Sequence, residues 1–195
     1  MNRFHHWLCR SARWRKTIRQ RVPWVLSSAD LGTDVLELGP GPGFSTDLLR
    51  RSVERLVVIE VDAELAASLG SRLHGSNVQV VAGDATAMPL RDAQFSGVVS
   101  FTMLHHVPSA ELQDRLLRQV WRVLRPGGVF VGSDSLQSWL MGVIHIGDTL
   151  VPVDPNSFAA RLEAAGFRVV EIEKNSGAFR FYAQRPAAEA RTMRT

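Results

Sequence analysis

Val35-Leu36-Glu37-Leu38-Gly39-Pro40-Gly41-Pro42-Gly43 is the stretch on which the fold turns. The apolar run Asp34–Leu38 reads as a strand, and Phe44–Val53 carries helical spacing. The three glycines therefore sit where a strand ends and a helix begins. Such a turn presents free backbone N–H groups and the positive end of a helix to a ligand, and glycine lets the ligand approach the main chain. A tight turn with no ligand is the plainer reading. Glycine at every second position behind an acid, Glu37, weighs against it. The dinucleotide fingerprint G-x-G-x-x-G/A fails here, because the third small residue is replaced by Phe44 when counted from Gly39 and by Thr46 when counted from Gly41. The phosphate loop G-x-x-x-x-G-K-[ST] is absent as well. What remains is E-x-G-x-G-x-G.

Outward from this turn, short apolar runs alternate with helical patterns. Leu56–Val61, Asn77–Val81, Phe95–Phe101 and Val129–Ser133 read as strands. Ala63–Leu73 reads as a helix with Asp62 as its N-cap, and Ala110–Leu124 as an amphipathic helix opened by Pro108-Ser109 and ended by Arg125-Pro126-Gly127-Gly128. Strands alternating with helices predict βαβ units and a parallel sheet. The end of the chain differs. A helix over Phe158–Ala165, closed by Gly166, leads to strands Phe167–Glu173 and Ala178–Gln184. Only Lys174–Gly177 lies between those strands, too little for a crossover, so they form an antiparallel hairpin. Residues 82–94 leave room for a short helix or none between the third and fourth strands. No internal repeat is present.

The chain has 195 residues, of which 45% are hydrophobic and 22% charged. That is the size and balance of one soluble globular domain, and it excludes a disordered tail, a collagen-like chain and a small disulfide scaffold. Cys9 is the only cysteine, so no internal disulfide asks for an oxidising compartment. No stretch approaches the roughly 20 apolar residues of a membrane span, and the N-terminus has no apolar signal core. A cytoplasmic location is the expectation.

The net charge of +4 is unevenly placed. Arg3, Arg10, Arg13, Arg15, Lys16, Arg19 and Arg21 put +7 into residues 1–21 with no acid, which leaves the remaining chain at −3. As a helix over residues 3–22, this segment would place Phe4, Trp7, Leu8, Trp14, Ile18 and Val22 on one face, with arginine over most of the rest. Two readings fit: a helix packed on the domain with a solvated basic face, and a binder of an anionic surface, lipid or nucleic acid. Pro23 and residues 27–30 separate it from the body. The expected division is an N-terminal unit over 1–29, a main domain over 30–185 and a flexible tail over 186–195.

The E-x-G-x-G-x-G turn resembles motif I of the class I S-adenosylmethionine-dependent methyltransferases, in particular the type 11-like group, and four further segments match that family in order over residues 34–184. In that family an acid ending the second strand holds the ribose hydroxyls; Glu60, followed by Val61, matches it, and a carboxylate can accept from both vicinal hydroxyls. Gly83-Asp84-Ala85 matches the acid after the third strand, with Asp84 toward the adenine amino group and the Ala85 N–H facing the ring. Phe101 through Val107 matches the loop beneath the sulfonium. Leu124 through Gly128 matches the loop before the fifth strand.

The resemblance implies a Rossmann-like three-layer α/β sandwich, with a seven-stranded, mostly parallel sheet ending in the antiparallel hairpin. It implies S-adenosyl-L-methionine as cofactor, S-adenosyl-L-homocysteine as product and no metal. Glu37, Gly39, Gly41, Gly43, Glu60, Val61, Asp84, Ala85 and Phe101 are the cofactor-binding residues it implies. The N-terminal helix would fold over the cofactor as a lid.

A sulfonium carries its own activation, so the protein mainly orients the reactants and excludes water. An alcohol, phenol or amine acceptor adds the need for a base. His105 and His106 are the candidates, and a purely structural histidine pair is the alternative. His145 and Asp148 form a second candidate pair, and Asp134 just past the fifth strand is similar; surface or packing roles are the alternative for each. Trp139 and Met141 would wall an acceptor pocket or belong to the core.

A small-molecule acceptor is the expectation. The front half also resembles the rRNA adenine dimethyltransferases, through residues 39–46 and 59–65. Those enzymes grip a flipped base with an Asn/Asp-Pro-Pro/Leu-Tyr-type loop after the fourth strand. Here that loop is Phe101-Thr102-Met103-Leu104-His105-His106, without proline or tyrosine, and Cys9 lies outside the catalytic body. The body's charge of −3 also disfavours a phosphate-binding face. Three alternatives stay open: an RNA substrate, a lipid substrate docked by the basic helix, and a non-catalytic cofactor binder.

Overall fold

The computed structural model describes residues 11–27, 29–137, 142 and 147–188. Cys9, Trp139, Met141, His145 and the end of the tail lie outside the described residues. Helix α1 spans Ala12–Leu26, β1 Asp34–Leu38, α2 Thr46–Leu49, β2 Arg55–Glu60 and α3 Ala63–Arg72. They are followed by β3 Val78–Ala82, β4 Phe95–Phe101, α4 Ala110–Val123, β5 Leu124–Ser135, α5 Pro155–Ala164, β6 Arg168–Lys174 and β7 Ala178–Gln184. The strands form one sheet in the order β3-β2-β1-β4-β5-β7-β6. Pairings from β3 through β5 are parallel, and β7 is antiparallel to both β5 and β6.

Alternation along the strands builds the layers. Leu36, Leu38 and Phe130 face one way and pack with Leu116 and Leu117 of α4 and Phe158 and Leu162 of α5. Val35, Leu56, Val58 and Val131 face the other way and pack with Ile18, Val22 and Val25 of α1 and Leu69 of α3. The result is the expected three-layer sandwich, closed by the expected hairpin. Between β3 and β4 the chain makes only a single 3₁₀ turn, Ala85–Ala87, in place of a helix.

Three boundaries differ most from the sequence reading, each for a local reason. The helix after the glycine turn is only Thr46–Leu49, not Phe44–Val53. The Ser45 hydroxyl is drawn back to Glu37 and does not cap it. The Asn77 amide then takes up the carbonyls of Arg50 and Val53, each at 2.9 Å, and ties off the chain. Strand β5 begins at Leu124 and not Val129, because Leu124 pairs with Phe95 and the Pro126–Gly128 turn is absorbed as a bulge within the strand. Helix α1 continues through Pro23 to Leu26. Proline removes one helical hydrogen bond, but buried Val22 and Val25 hold the last turn on the sheet, and the Arg180 guanidinium donates to the Trp24 carbonyl.

Gly132 marks the tightest point of the sheet. A β-carbon there would meet the Ser100 carbonyl oxygen at 2.3 Å and the Phe181 ring at 2.5 Å. Gly132→Ala is expected to lower stability by about 3 kcal/mol, read as a fall in the urea midpoint at unchanged slope; an unshifted midpoint would contradict this packing.

Candidate active site

The C-terminal ends of the parallel strands open on a cavity of about 500 Å³. It lies across β1 and β4, where the strand order reverses, which is the position where open α/β sheets bind ligands. Its wall includes the Gly39–Pro42 turn, Glu60–Asp62, Gly83–Thr86 and Phe101–Met103, with Trp14 and Ile18 reaching in from α1.

Gly39 and Gly41 serve different purposes. Both have positive φ, +58° and +55°, which strains any residue with a β-carbon. At Gly39 a β-carbon would meet Met103 Cγ at 2.3 Å, so this glycine lets the loop after β4 close against the turn. At Gly41 a β-carbon would meet nothing within 4 Å. That position faces open cavity, but the glycines do not offer the free N–H groups expected of the turn: those of Gly39, Gly41 and Gly43 are donated to the Ile59 carbonyl, the Glu60 carboxylate and the Pro40 carbonyl, which leaves carbonyl oxygens for a ligand. Gly43 is not part of the cavity wall and packs against Leu69 and Arg72.

Glu60 ends β2 with its carboxylate at the cavity. One oxygen accepts from the Gly41 N–H at 2.9 Å, the other from the Asp62 N–H at 3.0 Å. A carboxylate has about four lone-pair sites, so two remain for a ligand's hydroxyls. Val61, next along, is a large apolar residue left 74% exposed on the cavity wall. Asp84 caps the Ala85–Ala87 turn through its bond from the Thr86 N–H at 2.7 Å, and it lines the cavity beside Ala85. Phe101 lines it from the end of β4.

Glu37 stands elsewhere. It is 1% exposed and lies beneath the turn, outside the cavity wall. Its carboxylate accepts from the hydroxyls of Ser45 and, at 2.6 Å, Thr46. Burial pushes this carboxyl up to about 7; the two hydroxyls oppose the shift, and the charges of Asp47 and Glu60 add to it. The geometry makes Glu37 a support of the turn, not a ligand contact.

The two histidines are separated in role as well. His106 is on the cavity wall. His105 is buried behind it, with ring centroids 4.2 Å apart. His105 Nδ1 lies 2.5 Å from Asp134 Oδ1, and its backbone N–H donates to Asp134 Oδ2 at 3.2 Å. Asp134, fully buried at the end of β5, also accepts from the Ser135 N–H at 2.6 Å. Burial alone would push the Asp134 carboxyl up. The His105 charge and hydrogen bond, with the two amides, outweigh it and hold the carboxyl below its ordinary range. Arg21 approaches the same pair from α1, its guanidinium donating to Ser135 Oγ at 3.3 Å. Burial lowers the Arg21 pKa and the Asp134 charge opposes that shift. Asp148 is on the cavity wall, without His145 among the described residues.

Two features went unread in the sequence. The pairing of His105 with Asp134 joins residues 29 positions apart, and no spacing signals it. Thr102, a β-branched residue on the cavity wall, has φ +53°, a strained conformation of the kind found at functional sites. Its N–H is held by the Ser133 carbonyl at 2.8 Å, which fixes the loop leaving β4.

Residues 36–132 match the methyltransferase domain family model. An uncharacterized methyltransferase of Synechocystis sp. is 30% identical over 156 residues, covering 75% of this chain and 72% of that protein. The chain belongs to the S-adenosylmethionine-dependent methyltransferase family. A Mycolicibacterium smegmatis protein named a probable S-adenosylmethionine-dependent methyltransferase is 34% identical over 102 residues, 52% of this chain and 38% of that one. A methyltransferase from Aquifex aeolicus shares the fold with a TM-score of 0.68 at 20% identity, covering 88% of this chain and 98% of that one. The chain spans little more than a third of the length of the curated relatives it matches first, with shares of 38% and 35%.

S-adenosylmethionine is the cofactor of this family, and the residues lining the cavity fit it. The open cradle at Gly41 and the Glu60 carboxylate fixed by two amides are what a ribose and a main-chain-contacting tail require.

The buried Glu37 carboxyl gives the turn a pH signature. Its ordinary value is 4.5 and burial raises it to about 7. Between these values the folded protein holds a proton that the unfolded chain lacks, so stability falls as pH rises through that window. Glu37→Gln is expected to remove that slope and gain about 3 kcal/mol on the parent between pH 4 and 8. Urea unfolding of both proteins across this range checks it; parallel profiles would contradict it.

Proposed function

We propose that the protein transfers the methyl group of S-adenosylmethionine to a small-molecule acceptor. The carrying observation is the Glu60 carboxylate, pinned by the Gly41 and Asp62 amides at the rim of the cavity. In this reading Glu60 accepts the ribose hydroxyls, and Val61 packs on the adenine. Asp84 and the Ala85 N–H take the adenine edge, and the Gly39–Gly41 main chain meets the amino-acid tail. Phe101 and Met103 floor the reacting end. When bound, the sulfonium supplies an activated methyl group and a neutral thioether leaving group. The chain's own residues orient the acceptor and exclude water. Trp14 and Ile18 give α1 the part of a lid, which their place in the cavity wall supports.

The acceptor side supports a small molecule. The cavity of about 500 Å³ has to hold the cofactor as well in this reading, so the space it leaves suits a small acceptor. The loop Phe101–His106 brings Met103 and His106 to its wall and has no base-gripping proline or tyrosine. His106 is the group that takes a proton from the acceptor. His105 and Asp134 are positioning residues behind it, holding the loop at the end of β5. Among the described residues no helix is long and apolar enough to cross a membrane. A cytoplasmic location belongs to the same reading, with the single cysteine in support.

Calorimetry with S-adenosylmethionine tests the cofactor reading. Binding is expected for the full chain, and Glu60→Ala is expected to weaken it by about 2 kcal/mol, roughly thirtyfold. Undiminished binding would overturn the role given to Glu60. Screening extracts for transfer of a labelled methyl group would identify the acceptor. With that acceptor, His106→Gln is expected to lower kcat by about 10²-fold or more while leaving cofactor affinity unchanged. An unchanged kcat would return the histidines to a structural role.

A further inference from the structure

Many of the body's arginines are paired internally, and those that are exposed with no ion pair among the described residues, Arg51, Arg91, Arg115, Arg118 and Arg168, are spread over several elements with no more than two on any one helix. Arg50 and Arg72 pair with Asp47, Arg55 and Arg125 with Asp34, Arg122 with Asp92, Arg161 with Asp114 and Arg180 with Glu173. Helix α1 is different. Arg13, Arg15, Lys16 and Arg19 are exposed on it, and α1 has no acid. Among the described residues none of these four is in an ion pair. Arg13 and Lys16, Lys16 and Arg19, and Arg15 and Arg19 stand three or four apart, where like charges repel and weaken a helix. The helix is held in spite of this by Ile18, Val22 and Val25, buried against the sheet.

We propose that this face of α1 docks the protein peripherally on an anionic lipid surface. The inference concerns the outer face of α1 and holds whatever the methyl acceptor is. Two observations favour a lipid surface over a nucleic acid. The basic row is one short helix face, Arg13 to Arg19, spanning about 9 Å, and beyond it the body carries a net −3 that would repel a phosphate chain running across it. A planar surface touches the helix alone and leaves the acidic body in water. Finally, Trp14 and Ile18 of the same helix line the cavity, so docking sets its mouth beside the surface. The apolar face of α1 is committed to the sheet, so the helix does not insert and the attraction is electrostatic.

Co-sedimentation of the full chain with vesicles tests this. With roughly a third phosphatidylserine in phosphatidylcholine at low salt, the protein is expected to sediment; with phosphatidylcholine alone it stays in solution. Binding is expected to fade as ionic strength rises toward about 0.5 M. A triple Arg13→Glu, Lys16→Glu, Arg19→Glu variant is expected to bind anionic vesicles about a hundredfold more weakly or less. Its melting transition and its S-adenosylmethionine calorimetry should match the parent, since these side chains are exposed and lie outside the cavity wall. That pairing separates failure of the docking idea from failure of the cofactor reading. Sedimentation of the triple variant like the parent, or indifference to phosphatidylserine, would overturn the proposal. Tighter binding to a single-stranded RNA than to anionic vesicles at equal salt would overturn its lipid assignment.

Discussion

Glu37 is a carboxylate buried at the end of β1, and the two hydroxyls that follow the glycine turn fasten onto it. A buried carboxyl without partners is costly, so the turn cannot relax away from it. Ser45 and Thr46 can reach Glu37 only if the chain between them folds back tightly, and positive φ at Gly39, Gly41 and Gly43 is what allows this. That return aims the Gly41 N–H at Glu60 on the neighbouring strand. One buried acid thereby sets the turn, the turn sets the acid on β2, and the two together define the rim of the cavity.

A second buried acid does the corresponding work on the other side. Asp134 ends β5, and it holds both the ring and the backbone amide of His105. Since β4 and β5 are neighbours, this fixes the loop leaving β4 and sets His106 in the cavity wall. Thr102, at positive φ and tied to the Ser133 carbonyl, belongs to the same constraint. Burying a carboxylate with its partner gives little net stability, because desolvation offsets the attraction. What the pair supplies is a single position for the loop, and the loop forms one wall of the cavity.

The parts legible in the sequence were those written locally. Strand, glycine turn and following acid are adjacent in the chain, and so are the two strands of the closing hairpin, where a four-residue link permits only one connection. Glu60 and Asp84 could be placed because one ends a strand and the other follows a strand by two residues. What could not be read depends on residues that meet only in the fold. The Asn77 amide that shortens α2 comes from the start of another strand, and the partner of His105 lies on β5. Glu37 was readable as an acid in the right place, but its burial under the turn was not, because the hydroxyls that claim it follow the glycines and look like helix caps. Pro23 looked like a boundary; the sheet beneath Val22 and Val25, and Arg180 from β7, override it.

Helix α1 is where these levels meet. Its inner face belongs to the core, its N-terminal half reaches the cavity through Trp14 and Ile18, and Arg21 touches Ser135 beside the Asp134–His105 pair. Its outer face groups Arg13, Lys16 and Arg19 with no acid on the helix, whereas most arginines of the body face an acid. Arg21 shows how closely the two faces are divided. It is the basic residue of the helix turned inward, where burial lowers its pKa and Asp134 compensates. Arg15 lies over the Phe44 ring, 4.7 Å from its centroid, and Arg13, Lys16 and Arg19 remain in water, where an unpaired cation is well solvated and stabilises little within the fold. A net charge of +4 on this chain therefore describes a single surface and not the whole protein. The site lies in an acidic body, and the positive potential is concentrated on the one helix that also borders the cavity.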